Sequence, residues 1–260
     1  MKLAISNIAF EAQDDEFVYA KMKELGFEGL EIAPTRIIPE APYDNIGKAK
    51  DFSVWLKDRY GFDIVSMQSI WFGITQKIFS SADERAFLVD YTKKAVDFAQ
   101  AVGCGNLVFG CPRNRVIESE ADYPTAVEFF KTVGDYAALH DTVIAIEANP
   151  PIYNTNFINN DEQALKLYHD VNSEGFKINL DMGTVIHNCE DISKLDFSAI
   201  SHVHLSEPGL VKPEKRQLHR DLAQLMRDGG YNGYVSIEMK KGLTQEEIVQ
   251  VMTYAKEVFF

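Results

Sequence analysis

Cysteine is scarce in this sequence. Only Cys104, Cys111 and Cys189 occur, an odd number, and none is spaced as CxxC. Small secreted domains that rely on disulfides carry even sets of cysteines, whereas a few separated thiols suit a reducing compartment. The N-terminal residues turn polar at Ser6 and Asn7, too early for the apolar core of a secretory signal. We therefore expect a cytoplasmic protein without structural disulfides.

Basic residues are few, and long hydrophobic runs are missing. The chain has 26 Lys and Arg against 39 Asp and Glu, which gives a formal net charge of -13. Because nucleic-acid backbones are bound by clustered Lys and Arg, we expect no nucleic-acid partner. No apolar segment approaches the roughly 20 residues that a membrane helix needs, so no membrane partner is expected either.

Short apolar segments recur along the chain instead. Each is nearly continuous in apolar residues and is bounded by Gly, Pro, Asn or Asp, which is typical of strands in a parallel sheet covered on both faces. Such segments begin near residues 3, 29, 63, 106, 143, 177, 200 and 234.

Helical patterns fill the intervals between these strands. Residues 81–84 and 244–247 each predict a capping box at a helix start. Further helices are predicted at 15–25, 45–60, 122–140, 160–172 and 216–229, with a weak one at 190–196. Eight strand–helix units predict an α/β fold, the (β/α)8 TIM barrel, as a single domain over residues 1–260. An open doubly wound sheet is the alternative, but no Gly-rich phosphate turn follows the first strand.

An ionisable residue closes each of the last four predicted strands. These residues are Glu147, Asp181, His204 and Glu238, at intervals of 34, 23 and 34 residues. A barrel gathers the C-terminal ends of its strands around one opening. Carboxylates and an imidazole confined there repel one another or take up protons unless a cation neutralises them. We predict one divalent metal ion, and the mainly oxygen ligand set suits Mn²⁺, Mg²⁺ or Co²⁺, with Zn²⁺ also compatible.

His202 lies two residues before His204 and faces the same way along the strand. Because His204 is nearer the strand end, we expect His204 to bind the metal and His202 to support it from one layer deeper.

The segments around these residues resemble those of the sugar phosphate isomerase/epimerase family, within the xylose isomerase-like TIM barrel superfamily. Their order and spacing extend the resemblance over essentially the whole chain. The segments are Ile146-Glu147, Leu180–Gly183, His202–Glu207 and Val235–Met239.

The resemblance implies that Glu147, Asp181, His204 and Glu238 are the metal ligands. It also implies that Glu147 and Glu238 act as the acid and base that move a proton through an enediolate. The implied function is a divalent-metal-dependent isomerase or epimerase of a small sugar, keto-sugar or sugar phosphate. Members of this family are commonly homodimers or homotetramers, so either assembly is expected here.

Five residues near strand ends are predicted to bind the substrate: Gln68, Asn149, Arg113, Glu207 and Lys240. The amides and Glu207 offer hydrogen bonds to sugar hydroxyls. Arg113, together with Arg115, follows the fourth strand, where a guanidinium is suited to a phosphate or carboxylate. Lys240 follows the eighth strand, near a common phosphate-binding location in barrels. His219, on a predicted helix, is expected to be structural.

Two departures from the family pattern bear on the reaction. Thr184 stands where ketose 3-epimerases have a histidine, and Pro208–Leu210 stand where they have a substrate-binding arginine. Endonuclease IV needs additional histidine ligands, but the third and fourth strands end in Gln68-Ser69 and Cys111-Pro112, which weighs against DNA repair. An inosose dehydratase-like lyase, a metallohydrolase and a non-catalytic sugar-binding barrel stay open as alternatives.

Overall fold

Eight parallel strands close into a barrel, in chain order, in the computed structural model of the chain, which describes every residue from Met1 to Phe260. Strand β8 pairs with β1, which closes the sheet. This confirms the predicted (β/α)8 architecture. The strands are β1 Lys2–Ser6, β2 Gly29–Ile32, β3 Asp63–Met67, β4 Asn106–Phe109, β5 Val143–Glu147, β6 Phe176–Asp181, β7 Ile200–Leu205 and β8 Tyr234–Ile237.

Helices surround the barrel. They are α1 Asp15–Leu25, α2 Pro34–Ile37, α3 Ile46–Tyr60, α4 Ala82–Val102, α5 Tyr123–Ala138, α6 Asp161–Val171, α7 Met182–Asn188, α8 Gln217–Asp228 and α9 Gln245–Phe259. No helix combines the length and the apolar character that a membrane span requires.

The prediction of a helix at 190–196 was wrong. The helix of that unit is α7, which begins directly after β6, with Asp181 as its N-cap. The Asp181 carboxylate accepts a hydrogen bond of 2.7 Å from the backbone N–H of Thr184. Residues 190–196 contain only the short 3-10 turn Ile192–Lys194. Because one residue both caps the helix and closes the strand, no connecting loop marks the helix start in the sequence.

The two predicted capping boxes differ. Thr244 and Glu247 form a complete, reciprocal box at the start of α9. Ser81 accepts from the backbone N–H of Glu84 at the start of α4, but the Glu84 carboxylate instead accepts from the backbone N–H of Lys77. Only half of the predicted box therefore forms at α4.

A register shift between β6 and β7 sets which side chains face the barrel interior. Ile178 pairs with Ile200, whereas the next residue, Asn179, pairs with His202. Ser201 is the extra residue of this irregularity, and beyond it Asp181 pairs with His204. The bulge therefore turns both histidines inward while Ile178 and Ile200 face outward, since side chains alternate along a strand.

The hydrophobic core lies mainly between the strands and the helices. One continuous cluster of buried apolar side chains runs around the barrel. Within it, Phe109 of β4 meets Phe130 of α5 edge-to-face, with ring centroids 5.0 Å apart, and Phe130 packs against Phe176 of β6 at 5.1 Å. Because the outer faces carry this packing, the interior positions at the C-terminal end of the barrel are free to be polar.

Candidate metal centre

Strand ends bring the four predicted ligands together. Glu147 and Asp181 are the last residues of β5 and β6, His204 lies one residue from the end of β7, and Glu238 directly follows β8. Gly110, just after β4, leaves room for this group, because a Cβ there would lie 2.9 Å from Oε2 of Glu147. A larger residue at this position would displace the Glu147 carboxylate.

His204 lies at the centre of the group. Its Nδ1 is 3.0 Å from Oε1 of Glu147 and 3.2 Å from Oε2 of Glu238. The four residues each offer one ligand atom, and these atoms all lie within 4.8 Å of one another. Two ligands bonded at about 2.0–2.2 Å to one ion lie at most about 4.4 Å apart, so small side-chain adjustments suffice. The residues present therefore fit one divalent metal ion.

The electrostatics of the group also favour a cation. Burial raises the pKa of Glu238 to about 7, although the nearby His204 opposes the shift. Burial and the Glu147 carboxylate likewise raise the pKa of Asp181. Raised carboxyl pKa values mean that negative charge is costly here without a counter-ion. A bound divalent cation would relieve this cost and keep the carboxylates ionised.

A second acidic group, which the sequence analysis did not identify, lies behind His204. Glu31 of β2 has no solvent exposure, and its Oε2 lies 3.0 Å from Nε2 of both His202 and His204. Its other oxygen accepts a hydrogen bond of 2.9 Å from Nε2 of Gln68. His202 contacts Glu31 but, unlike His204, is not part of the four-residue group.

Glu31 determines how His204 presents its ring to the four-residue group. Burial raises the pKa of Glu31, but the neighbouring histidines outweigh it and hold the pKa well below the usual range. The ionised Glu31 accepts a hydrogen bond from Nε2 of His204. Burial lowers the pKa of His204, but the carboxylates of Glu238, Glu31 and Glu147 outweigh it and hold the pKa well above its usual range, so without a cation Nδ1 also carries a proton. A bound metal ion would replace that proton at Nδ1, while Glu31 keeps the proton on Nε2. Glu31, His202 and His204 could themselves hold a cation. They lie below the pocket floor, however, whereas the carboxylates of the four-residue group line the pocket.

The pocket above the centre has a volume of about 220 Å³ and is lined by Glu147, Asp181 and Glu238. Two of the predicted substrate-binding residues, Gln68 and Asn149, also line it. Asn149 donates a hydrogen bond of 3.0 Å from Nδ2 to Oε2 of Glu147, so its amide holds the carboxylate in place. Leu210 belongs to the same lining, and so does Tyr153, which no sequence pattern indicated.

The structure places the other three predicted substrate-binding residues away from the pocket lining. Arg113 and Lys240 are exposed. Glu207 is 2% exposed and is paired with Arg216, whose Nε and Nη2 lie 2.6 Å from the two Glu207 oxygens. A bidentate pair of this kind occupies the carboxylate, which is then not free for a sugar hydroxyl. The substrate-binding roles of these residues stay predictions without a supporting contact.

Arg115 does not face solvent or the pocket but lies fully buried. Its guanidinium donates to the backbone oxygens of Gly110 and Glu147 and to Oδ1 of Asn149. It also donates to the backbone oxygens of Phe157 and Ile158. Burial lowers its pKa to about 10. Arg115 therefore ties the segments after β4 and β5 together, and the expectation that it binds a phosphate or carboxylate is wrong.

Comparison with solved structures identifies the same architecture in several proteins. D-psicose 3-epimerase from Clostridium cellulolyticum H10, solved with D-tagatose, superposes with a TM-score of 0.79 at 16% identity, covering 100% of this chain and 99% of that one. A protein described as an AP endonuclease of family 2 from Brucella melitensis gives 0.76 at 22% identity, with 98% and 99% coverage. The IolI protein with a bound zinc atom gives 0.76 at 17% identity, with 100% and 98% coverage. At these identities the likeness shows the fold alone.

Sequence comparison gives the family. A search of curated protein sequences finds no match to this chain. A family model described as xylose isomerase-like TIM barrel matches residues 19–257, nearly the whole chain. The closed barrel agrees with that match. The chain belongs to the xylose isomerase-like TIM barrel family.

Proposed function

We propose that this chain is a divalent-metal-dependent isomerase or epimerase of a small, unphosphorylated keto-sugar. The observation that carries the proposal is that two glutamates, Glu147 and Glu238, line one pocket and belong to a site that fits a metal ion. Such a pair can take a proton from one carbon of a substrate and return one to it or to its neighbour. The structural neighbours include proteins described as D-psicose 3-epimerase and L-ribulose 3-epimerase, which supports a sugar substrate.

The proposed chemistry divides between the ion and the side chains. A divalent ion, when bound, supplies Lewis acidity that stabilises negative charge on a substrate carbonyl oxygen. One glutamate, Glu147 or Glu238, accepts the proton α to that carbonyl at a carboxylate oxygen, and the other donates a proton to the enediolate. Asn149 orients Glu147 through the hydrogen bond at Oε2, and Asn179 donates to Oε1 over 2.8 Å. This orientation directs the Glu147 carboxylate before substrate arrives.

The charge of the pocket supports a neutral substrate. No Lys, Arg or His is among the residues that line it, whereas three carboxylates are. A phosphate group would meet these carboxylates without a guanidinium or ammonium partner, which is unfavourable in a partly buried site. We therefore favour a free sugar over a sugar phosphate. Mn²⁺ is our preferred ion, since the ligand set has three carboxylates and one imidazole.

Solvent deuterium exchange tests this proposal. The Mn²⁺-loaded protein is incubated in D₂O with free ketoses and, separately, with ketose phosphates, and deuterium at the sugar carbons is measured by NMR. We expect exchange in the wild type and a loss of about 100-fold or more in Glu147→Gln and Glu238→Gln, measured at known metal occupancy. Glu174→Gln, which changes an exposed glutamate, serves as the matched control.

The outcomes separate the alternatives. Exchange accompanied by loss of water from the product would identify a lyase rather than an isomerase. Sugar binding without exchange would indicate a non-catalytic barrel. Exchange only with sugar phosphates would refute the neutral-substrate part of the proposal.

A further inference from the structure

The helical layer is thin beside β6 and β7. Helix α7 has only 7 residues, whereas its neighbours α6 and α8 have 11 and 12. At 1.5 Å per residue, a helix of that length covers only about 10 Å of the barrel surface. The chain then returns to β7 through the short turn Ile192–Lys194. Part of the outer surface of β6 and β7 is therefore left without a helix packed on it.

A cavity of about 520 Å³ fills this gap, on the outside of the barrel. It shares no lining residue with the pocket above the metal centre. The size lies within the range of small-molecule binding pockets. Its floor is apolar and includes Leu165, Ile178, Leu180, Val185, Leu195 and Ile200.

The polar wall of this cavity is strongly acidic. Its carboxylates are Asp161, Glu162, Glu190, Asp191 and Asp196, and the single basic residue is Lys194, which is exposed. Neutral or anionic ligands gain nothing from such a wall, whereas a cation is attracted to it. The wall and the floor together favour a ligand with both a positive charge and an apolar part.

Asp161 is the buried member of this wall. It is 8% exposed, and neither of its carboxylate oxygens has a hydrogen-bond partner. A buried carboxylate without a donor is unfavourable unless it meets a cation or takes up a proton. Glu190 is held beside it, since Oε2 of Glu190 accepts from the backbone N–H of Asp161 at 2.9 Å and Oε1 accepts from Asn188 at 2.6 Å. Two carboxyl groups thus adjoin one cavity without a counter-charge, and burial together with the neighbouring Glu190 raises the pKa of Asp161 well above its usual range.

We propose that this cavity binds a small organic cation, an amine with a hydrocarbon body. The ammonium group donates to the carboxylates of Asp161 and Glu190, and the hydrocarbon part lies on the apolar floor. A bare metal ion fits less well, because it would leave the apolar floor uncovered. The site is separate from the proposed sugar chemistry and does not depend on it.

Calorimetry with three probes of matched shape tests the proposal. The probes are 2-phenylethylamine, which is cationic at neutral pH, neutral 2-phenylethanol and anionic 3-phenylpropionate. We expect the amine to bind at least about 10-fold more tightly than the alcohol, and the propionate not to bind. The same order should hold in the Glu147→Gln/Glu238→Gln double variant. Loss of amine binding there would overturn the proposal and assign the amine to the metal centre.

Two variants within the cavity complete the test. Asp161→Asn should abolish the preference for the amine over the alcohol, while Asp170→Asn, which changes an exposed carboxylate on the same helix, should leave it unchanged. Leu195→Trp fills the apolar floor and should weaken the amine and the alcohol alike. An unchanged preference in Asp161→Asn would refute the proposal, because Asp161 and Glu190 would then simply share a proton. Equal binding of amine and alcohol by the wild type would refute it as well.

Discussion

Replacing Glu31 by Gln should weaken metal binding although Glu31 does not belong to the four-residue ligand group. The Glu31 carboxylate joins both histidines and Gln68 at distances of 2.9–3.0 Å. A glutamine amide has the same shape but only one accepting oxygen. The NH₂ group of the introduced glutamine must face either Nε2 of Gln68 or the Nε2 atoms of the histidines. In both cases two hydrogen-bond donors meet, and one of the present hydrogen bonds is lost.

The size of the effect follows from the lost charge. Hydrogen bonds to a charged group contribute about 1.5–3 kcal/mol, against about 0.5–1.5 kcal/mol for neutral ones. Losing that difference, about 1–1.5 kcal/mol, at His204 lowers metal affinity by about 10-fold. The further donor–donor contact extends the expected range towards 100-fold, the upper end for residues that orient a metal-binding histidine.

Mn²⁺ titration followed by electron paramagnetic resonance measures this affinity. Glu28→Gln, which changes an exposed glutamate on the segment before β2, is the matched control and should bind like the wild type. Thermal unfolding of the metal-free variants shows whether the fold is kept. A folded Glu31→Gln protein with wild-type Mn²⁺ affinity would refute the idea that Glu31 directs Nδ1 of His204 at the metal.

Three further predictions concern stability. His219 is fully buried, and burial lowers its pKa to about 4. Below about pH 6.5 the unfolded chain binds a proton at this position that the folded chain does not, so the free energy of unfolding falls by up to about 3 kcal/mol between pH 6.5 and pH 4. In urea unfolding, His219→Gln should reduce this dependence of the unfolding free energy on pH. An unchanged pH dependence in the variant would contradict the prediction. Arg115→Lys keeps the charge but serves at most three of five acceptors, so unfolding free energy should fall by about 2–6 kcal/mol, and a loss below about 1 kcal/mol would contradict the tying role. Phe130→Ala should lower the free energy of unfolding by about 3–5 kcal/mol in the same assay, because Phe130 is fully buried. A smaller decrease would mean that the surrounding side chains move in to fill the cavity left by the ring.

The barrel and the four-residue group were predictable because their evidence is local. Strands buried on both faces need apolar residues, and a functional group at a strand end interrupts them, as at Glu147 and Glu238. The spacing of one strand–helix unit then places such groups around one opening.

Glu31 was missed, and Arg115 was given the wrong role, because their partners are distant in the chain. The contact between Glu31 and His204 spans 173 residues, and that between Arg115 and Phe157 spans 42. No local pattern reports such contacts. A carboxylate within the apolar segment 29–32 was the one available indication for Glu31. For Arg113 and Arg115, only the left-handed turn at Cys111 and the tertiary contacts decide which side chain turns inward.

The metal content of the purified protein tests the central claim most directly. Protein prepared without chelator and equilibrated with Mn²⁺ is analysed by inductively coupled plasma mass spectrometry, beside the Glu147→Gln/Glu238→Gln variant. We predict about one Mn per wild-type chain and a loss of bound Mn in the double variant, since half of the ligands have lost their charge. A wild-type protein that takes up no metal, or a double variant that keeps it, would contradict the metal centre described here.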